Sequence, residues 1–150
     1  MNMEALPLAL CNEVLQPLPF ERQCAFAAAL GYQGLEVAPF TLAADPLGIT
    51  DAQARGFART AADHGLSITG LHWLLVAPAG LSIVSPDAAV RQRTAAAMER
   101  LVREALDAGC VGVSTGLGYA PGIFAGDAEL AAFARFAADA GKLFTSHVRA

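Results

Sequence analysis

Lysine is almost absent: Lys142 is the one lysine in a chain of 150 residues whose formal net charge is -4. Such a chain carries no basic footprint for nucleic acid. Cysteine is equally sparse, and Cys11, Cys24 and Cys110 are odd in number and lack CxxC or zinc-ribbon spacing. That pattern excludes a disulfide framework and a structural zinc ribbon, and the three read as reduced, buried, small apolar residues. No uninterrupted apolar run approaches membrane-spanning length, and MNMEALPLAL has no basic start followed by a long apolar stretch. The expectation is a cytoplasmic, enzyme-like domain without a membrane partner.

Other signatures are missing too. No G-x-G-x-x-G follows the first apolar run, so a dinucleotide fold lacks its main mark. GLGYAPG has neither the P-loop lysine nor the Rossmann spacing. Ser114 and Thr115 sit in GVSTG, which is not G-x-S-x-G and has no base placed beside it.

What the chain has is apolar content: 55% hydrophobic residues against 16% charged. This argues against disorder and for a sheet buried on both faces. Four segments share one form, a helix-like run closed by glycine and followed at once by a β-rich run: ALGYQGLEV, DHGLSITGLHWLL, DAGCVGVSTG and DAGKLFTSHV.

In chain order, Pro7 to Asn12 reads as the first strand, with Asn12 and Glu13 at its carboxyl end. A helix then runs from Pro19 to a stop at Gly31, with Cys24 and Ala27 on its apolar face. Gly34 to Ala38 is the second strand. Thr50 and Gln53 predict a capping box for a helix that turns Ala54, Phe57, Ala58 and Ala61 inward and stops near Gly65. Leu66 to Leu75 is the third strand, whose alternation predicts Ile68, Gly70 and His72 on one face and Leu71 and Trp73 on the other.

Ser85 and Pro86 read as the N-cap and first residue of a long helix that ends at Gly109, its stripe carried by Leu101 and Val102. Val111 to Thr115 is strand four. Asp127 is expected to cap the last helix, with Phe133 and Ala137 inward, and KLFTSHVR, from Lys142 to Arg149, is the final strand.

Five strands and four helices in alternation predict an α/β fold with a parallel sheet. The expected form is a single partial TIM-barrel domain over 1–150, equivalent to the first five strands, since a full barrel takes about 250 residues. Polar residues at the carboxyl ends of such strands converge on one face. With no helix after strand five, the open sheet edge predicts either a partner that completes the sheet, a second copy of the chain included, or a chain that is a fragment.

Two stretches, LALCNEVLQPLPFERQCAFAAALGYQGLEVAPFTLA and ITGLHWLLVAPAGLSI, resemble the sugar phosphate isomerase/epimerase family with the xylose-isomerase-like TIM barrel. The likeness spans roughly residues 5–100, or βα units one to three. It implies a metal-dependent barrel that moves a proton next to a carbonyl on a small-molecule substrate. From about Leu101, REALDAGCVGVSTGLGYAPGIFAGDAELAAFARFAADAGKLFTSHVR is similar to the N-acyl-D-amino-acid deacylases of the amidohydrolase superfamily. GVSTGLGYAPG and TSHVR carry that second likeness, over βα unit four and strand five. The change falls within one helix, around Met98 to Glu104, so the chain reads as a chimera of two TIM-barrel lineages.

The resemblances assign the candidate residues. Glu36 and His72 match positions at the substrate end of isomerase barrels and are the catalytic candidates. Tyr119 corresponds to the tyrosine that contacts substrate in the deacylases, and His147 to their zinc-binding histidine. The implied cofactor is a divalent metal, zinc or manganese, with an incomplete set of ligands: the isomerases draw theirs from later strands, and LALCNEV has no His-x-His. For Glu36 the opposing reading is a solvent-exposed strand-end carboxylate, for His72 and His147 a hydrogen-bonded structural histidine, and for Tyr119 rim packing. Trp73 and Phe124 read as core or rim packing, and His64 as a helix-end residue favoured by the helix dipole. A third functional reading is a catalytically inactive chimeric or truncated barrel.

Overall fold

The protein is represented by a computed structural model that describes residues 6–107, 110–117, 124 and 126–147. These residues form five strands and four α-helices in alternation: β1 (Ala9–Cys11), α1 (Phe20–Ala29), β2 (Gly34–Val37), α2 (Asp51–Asp63), β3 (Ser67–Leu71), α3 (Ala88–Asp107), β4 (Gly112–Gly116), α4 (Asp127–Asp139) and β5 (Leu143–His147). Every ladder among the described residues is parallel, in one sheet ordered β1-β2-β3 and another made of β4 and β5. This is the α/β class expected, as a partial TIM-barrel array. The chain divides into two compact units, Met1–Ala79 and Gly80–Ala150.

In the first unit the helix stops are local and follow from glycine. Gly31 and Gly65 adopt φ of 86° and 73°, the left-handed conformation that ends a helix at little steric cost. The capping box at the start of α2 forms in both directions, Thr50 Oγ1 accepting from the Gln53 backbone and the Gln53 side chain accepting from the Thr50 backbone. The inner face of α2 differs from expectation: Ala61 is buried and Phe57 half-buried, while Ala54 and Ala58 are exposed. Phe57 sets that face, meeting the Phe20 ring of α1 edge-on at 5.3 Å.

Leu35 and Val37 of β2 pack with Cys24 and Ala27 of α1, Ala61 of α2 and Leu66 to form the core, flanked by Leu10, Ile68 and Leu71. Burying a leucine such as Leu35 contributes about 1.5–3 kcal/mol. Because side chains alternate across a strand, Glu36, between Leu35 and Val37, points away from the helices. The register pairs it with Cys11 on β1 and Gly70 on β3.

Strand three departs from simple alternation. The ladder pairs Leu35 with Ile68 but Glu36 with Gly70, leaving Thr69 as an extra residue. Thr69 Oγ1 donates to the Leu35 carbonyl at 3.1 Å. This bulge separates Ile68, which packs on the core, from Gly70, which sits beside Glu36. The strand also ends early, at Leu71, since Trp73 has a φ of 53° and turns the chain. His72 and Trp73 therefore do not take opposite faces: their rings stack, 5.4 Å apart and 19° from parallel. Trp73 is 58% exposed and Phe124 73%, so neither is core packing.

In the second unit β4 and β5 pair in register from Gly112 with Leu143 to Gly116 with His147. Leu101 and Val102 of α3 and Phe133 and Ala137 of α4 are buried as expected. The Arg103 guanidinium lies 4.8 Å from the centre of the Phe136 ring, a cation–π contact between α3 and α4. The caps differ from expectation. Ser85 Oγ accepts from the Asp87 backbone, and Asp87 Oδ1 accepts from Ala89 N at 2.8 Å, so Asp87, not Ser85, caps α3. Gly126 occupies the N-cap of α4, and Asp127 is its first residue. The expected stop at Gly109 lies outside the described residues.

Candidate active site at the carboxyl ends of the first three strands

The site begins with a buried amide. Asn12 follows β1, opens the 3-10 turn Asn12–Leu15 and is 0% exposed. Burial of an amide is costly unless every polar atom finds a partner. Asn12 meets that condition: Nδ2 donates to Gln23 Oε1 at 2.9 Å and to Thr41 Oγ1 at 2.7 Å, and Oδ1 accepts from Ala38 N at 2.8 Å. The network ties the turn after β1 to α1 and to the chain just past β2. It therefore fixes the next residue, Glu13, against the end of β2.

Glu13, Glu36 and His72 then come together from three segments. His72 N donates to the Val37 carbonyl at 2.9 Å, carrying the parallel ladder one residue past β3. Its Nε2 lies 3.9 Å from Glu13 Oε2 and its Nδ1 4.0 Å from Glu36 Oε2. These distances exceed hydrogen-bond length, and Glu13 Oε2 is a buried oxygen with no hydrogen-bond partner. Cys11 completes the group: one ligand atom each from Cys11, Glu36 and His72 lies within 4.8 Å of the others.

Glu36 and His72, the two catalytic candidates, thus stand together at the strand ends. Cys11, expected as a buried apolar residue, is half-buried beside them, and Cys110 is also half-buried. Only Cys24 is buried, and all three thiols are free. Burial pushes the Cys11 thiol above its ordinary value, a hydrogen bond from the Glu13 backbone opposes this, and the Glu13 and Glu36 carboxylates push it further up. The alternation of β1 held the missed signal, since Cys11 ends an apolar strand and is the ladder partner of Glu36 on the next.

These donors fit a divalent metal. Zinc bonds of about 2.0–2.3 Å place tetrahedral ligand atoms roughly 3.4–3.6 Å apart, so side-chain shifts of about 1 Å close the observed group around one ion. Two carboxylates and a polarizable sulfur beside an imidazole also favour a cation electrostatically.

The remaining candidates lie elsewhere in the sequence. His147 ends β5, paired with Gly116. Tyr119 lies outside the described residues. Thr115 Oγ1 donates to Ser146 Oγ at 3.1 Å across β4 and β5. His64 occupies the C-cap of α2.

The sequence model of the xylose isomerase-like TIM barrel family matches residues 24–148. The chain belongs to that family. The match continues through the helix at which the second resemblance begins. Among solved structures, a D-psicose 3-epimerase determined in the presence of D-fructose is similar in fold, with a TM-score of 0.56 and 20% identity over 91% of this chain and 50% of the epimerase. The N-acyl-D-glutamate deacylase of Alcaligenes xylosoxydans xylosoxydans is 58% identical over 53 residues, 35% of this chain and 11% of the deacylase. The chain thus spans half the length of the epimerase and about a tenth of the deacylase. Both resemblances read from the sequence are present. Among the described residues no helix is long and apolar enough to cross a membrane.

Proposed function

We propose that these strand ends belong to a metal-dependent isomerase or epimerase that moves a proton beside the carbonyl of a sugar-like substrate. The observation that carries this is the meeting of Glu36 and His72 with Glu13 at the carboxyl side of adjacent parallel strands, the end at which barrel enzymes hold their substrates.

Glu36 and His72 would hold a divalent ion, zinc or manganese, which when bound supplies polarisation of the substrate carbonyl. Glu13 carries the proton: its carboxylate accepts it from the carbon next to the carbonyl and returns it to the neighbouring carbon, which isomerises the sugar, while inversion at the first carbon takes the returning proton from water on the opposite face. The Glu13 side chain is a quarter exposed, and the approach of its Oε2 to His72 keeps it facing the site. Trp73, stacked on His72, covers one side of the imidazole and limits its rotation. The Asn12 network orients Glu13 without touching substrate.

Turnover tests the reading. The whole chain, supplied with zinc or manganese, should interconvert D-fructose and D-psicose or a phosphorylated ketose, and Glu36→Gln and His72→Ala should each lower the rate by at least about 100-fold, the scale of a lost acid–base or metal contribution. Absence of ketose turnover with both metals would refute it.

A second reading rests on the deacylase identity. In it, His147 is a zinc ligand, Tyr119 contacts substrate, and the reaction is hydrolysis of an N-acyl-D-amino acid. Release of the acyl group, lost in His147→Ala, would support this reading over the first. Failure of both reactions would favour the third, an inactive barrel portion that self-associates through its sheet edges, for which the measured mass in solution should exceed that of one chain.

A further inference from the structure

We infer that Cys11 is the third protein ligand of the ion held by Glu36 and His72, and that the site is therefore selective for zinc-class ions over magnesium or manganese. The inference deepens the proposed function, on which its place in the reaction rests.

The register brings the ligands together. Cys11 and Glu36 are direct partners in the parallel ladder, and both lie on the sheet face opposite Leu35 and Val37. His72 arrives from the third strand because the Thr69 bulge and the early end of β3 bring its imidazole to Glu36. All three ligand atoms fall within 4.8 Å, although the residues are widely separated in sequence. Helices α1 and α2 and the hydrophobic core hold the far side of the sheet, so the positions of the strand ends are fixed by packing.

Charge supplies the second argument. Glu13 and Glu36 both flank His72, and the unpartnered Glu13 oxygen is turned toward its ring. Without a cation this region concentrates negative charge around a thiol. A bound divalent ion removes that conflict, and on binding the Cys11 thiol proton leaves to solvent as the sulfur–metal bond forms. The donor chemistry then selects the ion. Thiolate and imidazole suit zinc and cobalt, whereas magnesium and manganese favour carboxylate, carbonyl and water oxygens. Three protein ligands leave a fourth position open for water or substrate, as in catalytic zinc sites.

Cobalt is a direct probe, because a thiolate bound to it gives a charge-transfer band in the near ultraviolet. Titration of the metal-free whole chain with cobalt should produce this band at one equivalent, and zinc should displace it. Cys11→Ser should lose the band, while Cys110→Ser should keep it. A missing band, or one that survives Cys11→Ser, overturns the assignment. Alkylation of the unsubstituted protein gives a readout independent of any variant: zinc should slow iodoacetamide modification of Cys11 at least about 10-fold and leave Cys110 unchanged. Equal modification of Cys11 with and without zinc also overturns it. Metal binding without ketose turnover would remove the proposed reaction and leave this site standing, whereas turnover without protection of Cys11 would do the reverse.

Discussion

Glu13 Oε2 lies 3.9 Å from His72 Nε2, is buried, and has no hydrogen-bond partner. A carboxylate oxygen in that position costs free energy that solvent would otherwise offset. In the account given above the cost is tied to function, since Glu13 is the group that accepts the substrate proton. Glu13→Gln should therefore preserve the fold and the cobalt spectrum and lose turnover. Circular dichroism, cobalt absorption and a ketose assay on one preparation check the three outcomes together.

Asn12 is the main support for that arrangement. Asn12→Ala strips the partner from the Ala38 backbone N–H and from Gln23 Oε1. Unsatisfied buried groups cost about 1–3 kcal/mol each, so a loss of about 2–4 kcal/mol is expected. A denaturant titration reads it as a lower midpoint with an unchanged slope. A loss below about 0.5 kcal/mol would mean that solvent replaces these partners.

Three glycines separate close packing from open space. A Cβ on Gly112 would strike the Leu143 backbone, and one on Gly34 would stand 2.5 Å from Thr69 Cγ2 and 3.1 Å from the Ser67 carbonyl oxygen. At Gly70 the nearest contacts would be 3.9 Å away, on Glu36. Gly112→Ala and Gly34→Ala should each destabilise by about 1–3 kcal/mol, the usual cost of overpacking. Gly70→Ala should stay within about 0.5 kcal/mol of the parent. Thermal melts of the three variants give the comparison.

Cys24 contributes a pH dependence. Burial raises its thiol pKa above the ordinary value of 9.0, a backbone hydrogen bond opposes the rise, and Glu21 adds to it. The unfolded chain releases this proton near the ordinary value while the folded chain retains it, so the folded state binds more protons in that interval. The contribution is complete below the ordinary thiol value and is lost as pH rises through the folded one. Stability followed by urea midpoints should fall on the alkaline side, and Cys24→Ala should flatten that slope.

Much of the fold is legible in the sequence because its punctuation is local. Gly31, Gly65 and Gly141 take positive φ at helix ends, and the Thr50–Gln53 capping box forms as spaced. Glu36 and His72 stand out because polar groups close to the ends of apolar strands are rare. Their company is not legible. The approach of Cys11 depends on register between strands, the facing of Gly70 on a bulge, and the turn of His72 on the left-handed backbone of Trp73. Asp87 displaces Ser85 as a cap through a side-chain contact that spacing alone does not specify.

Proton movement at the substrate carbon is the most direct test of the central claim. The zinc-loaded whole chain should be incubated with D-fructose in deuterated water and the hydrogen next to the carbonyl followed by proton NMR. Loss of that signal with the parent chain, and its retention with Glu13→Gln and with Glu36→Gln, is the predicted result. A signal that persists with the parent chain, or disappears equally fast with both variants, would contradict the account.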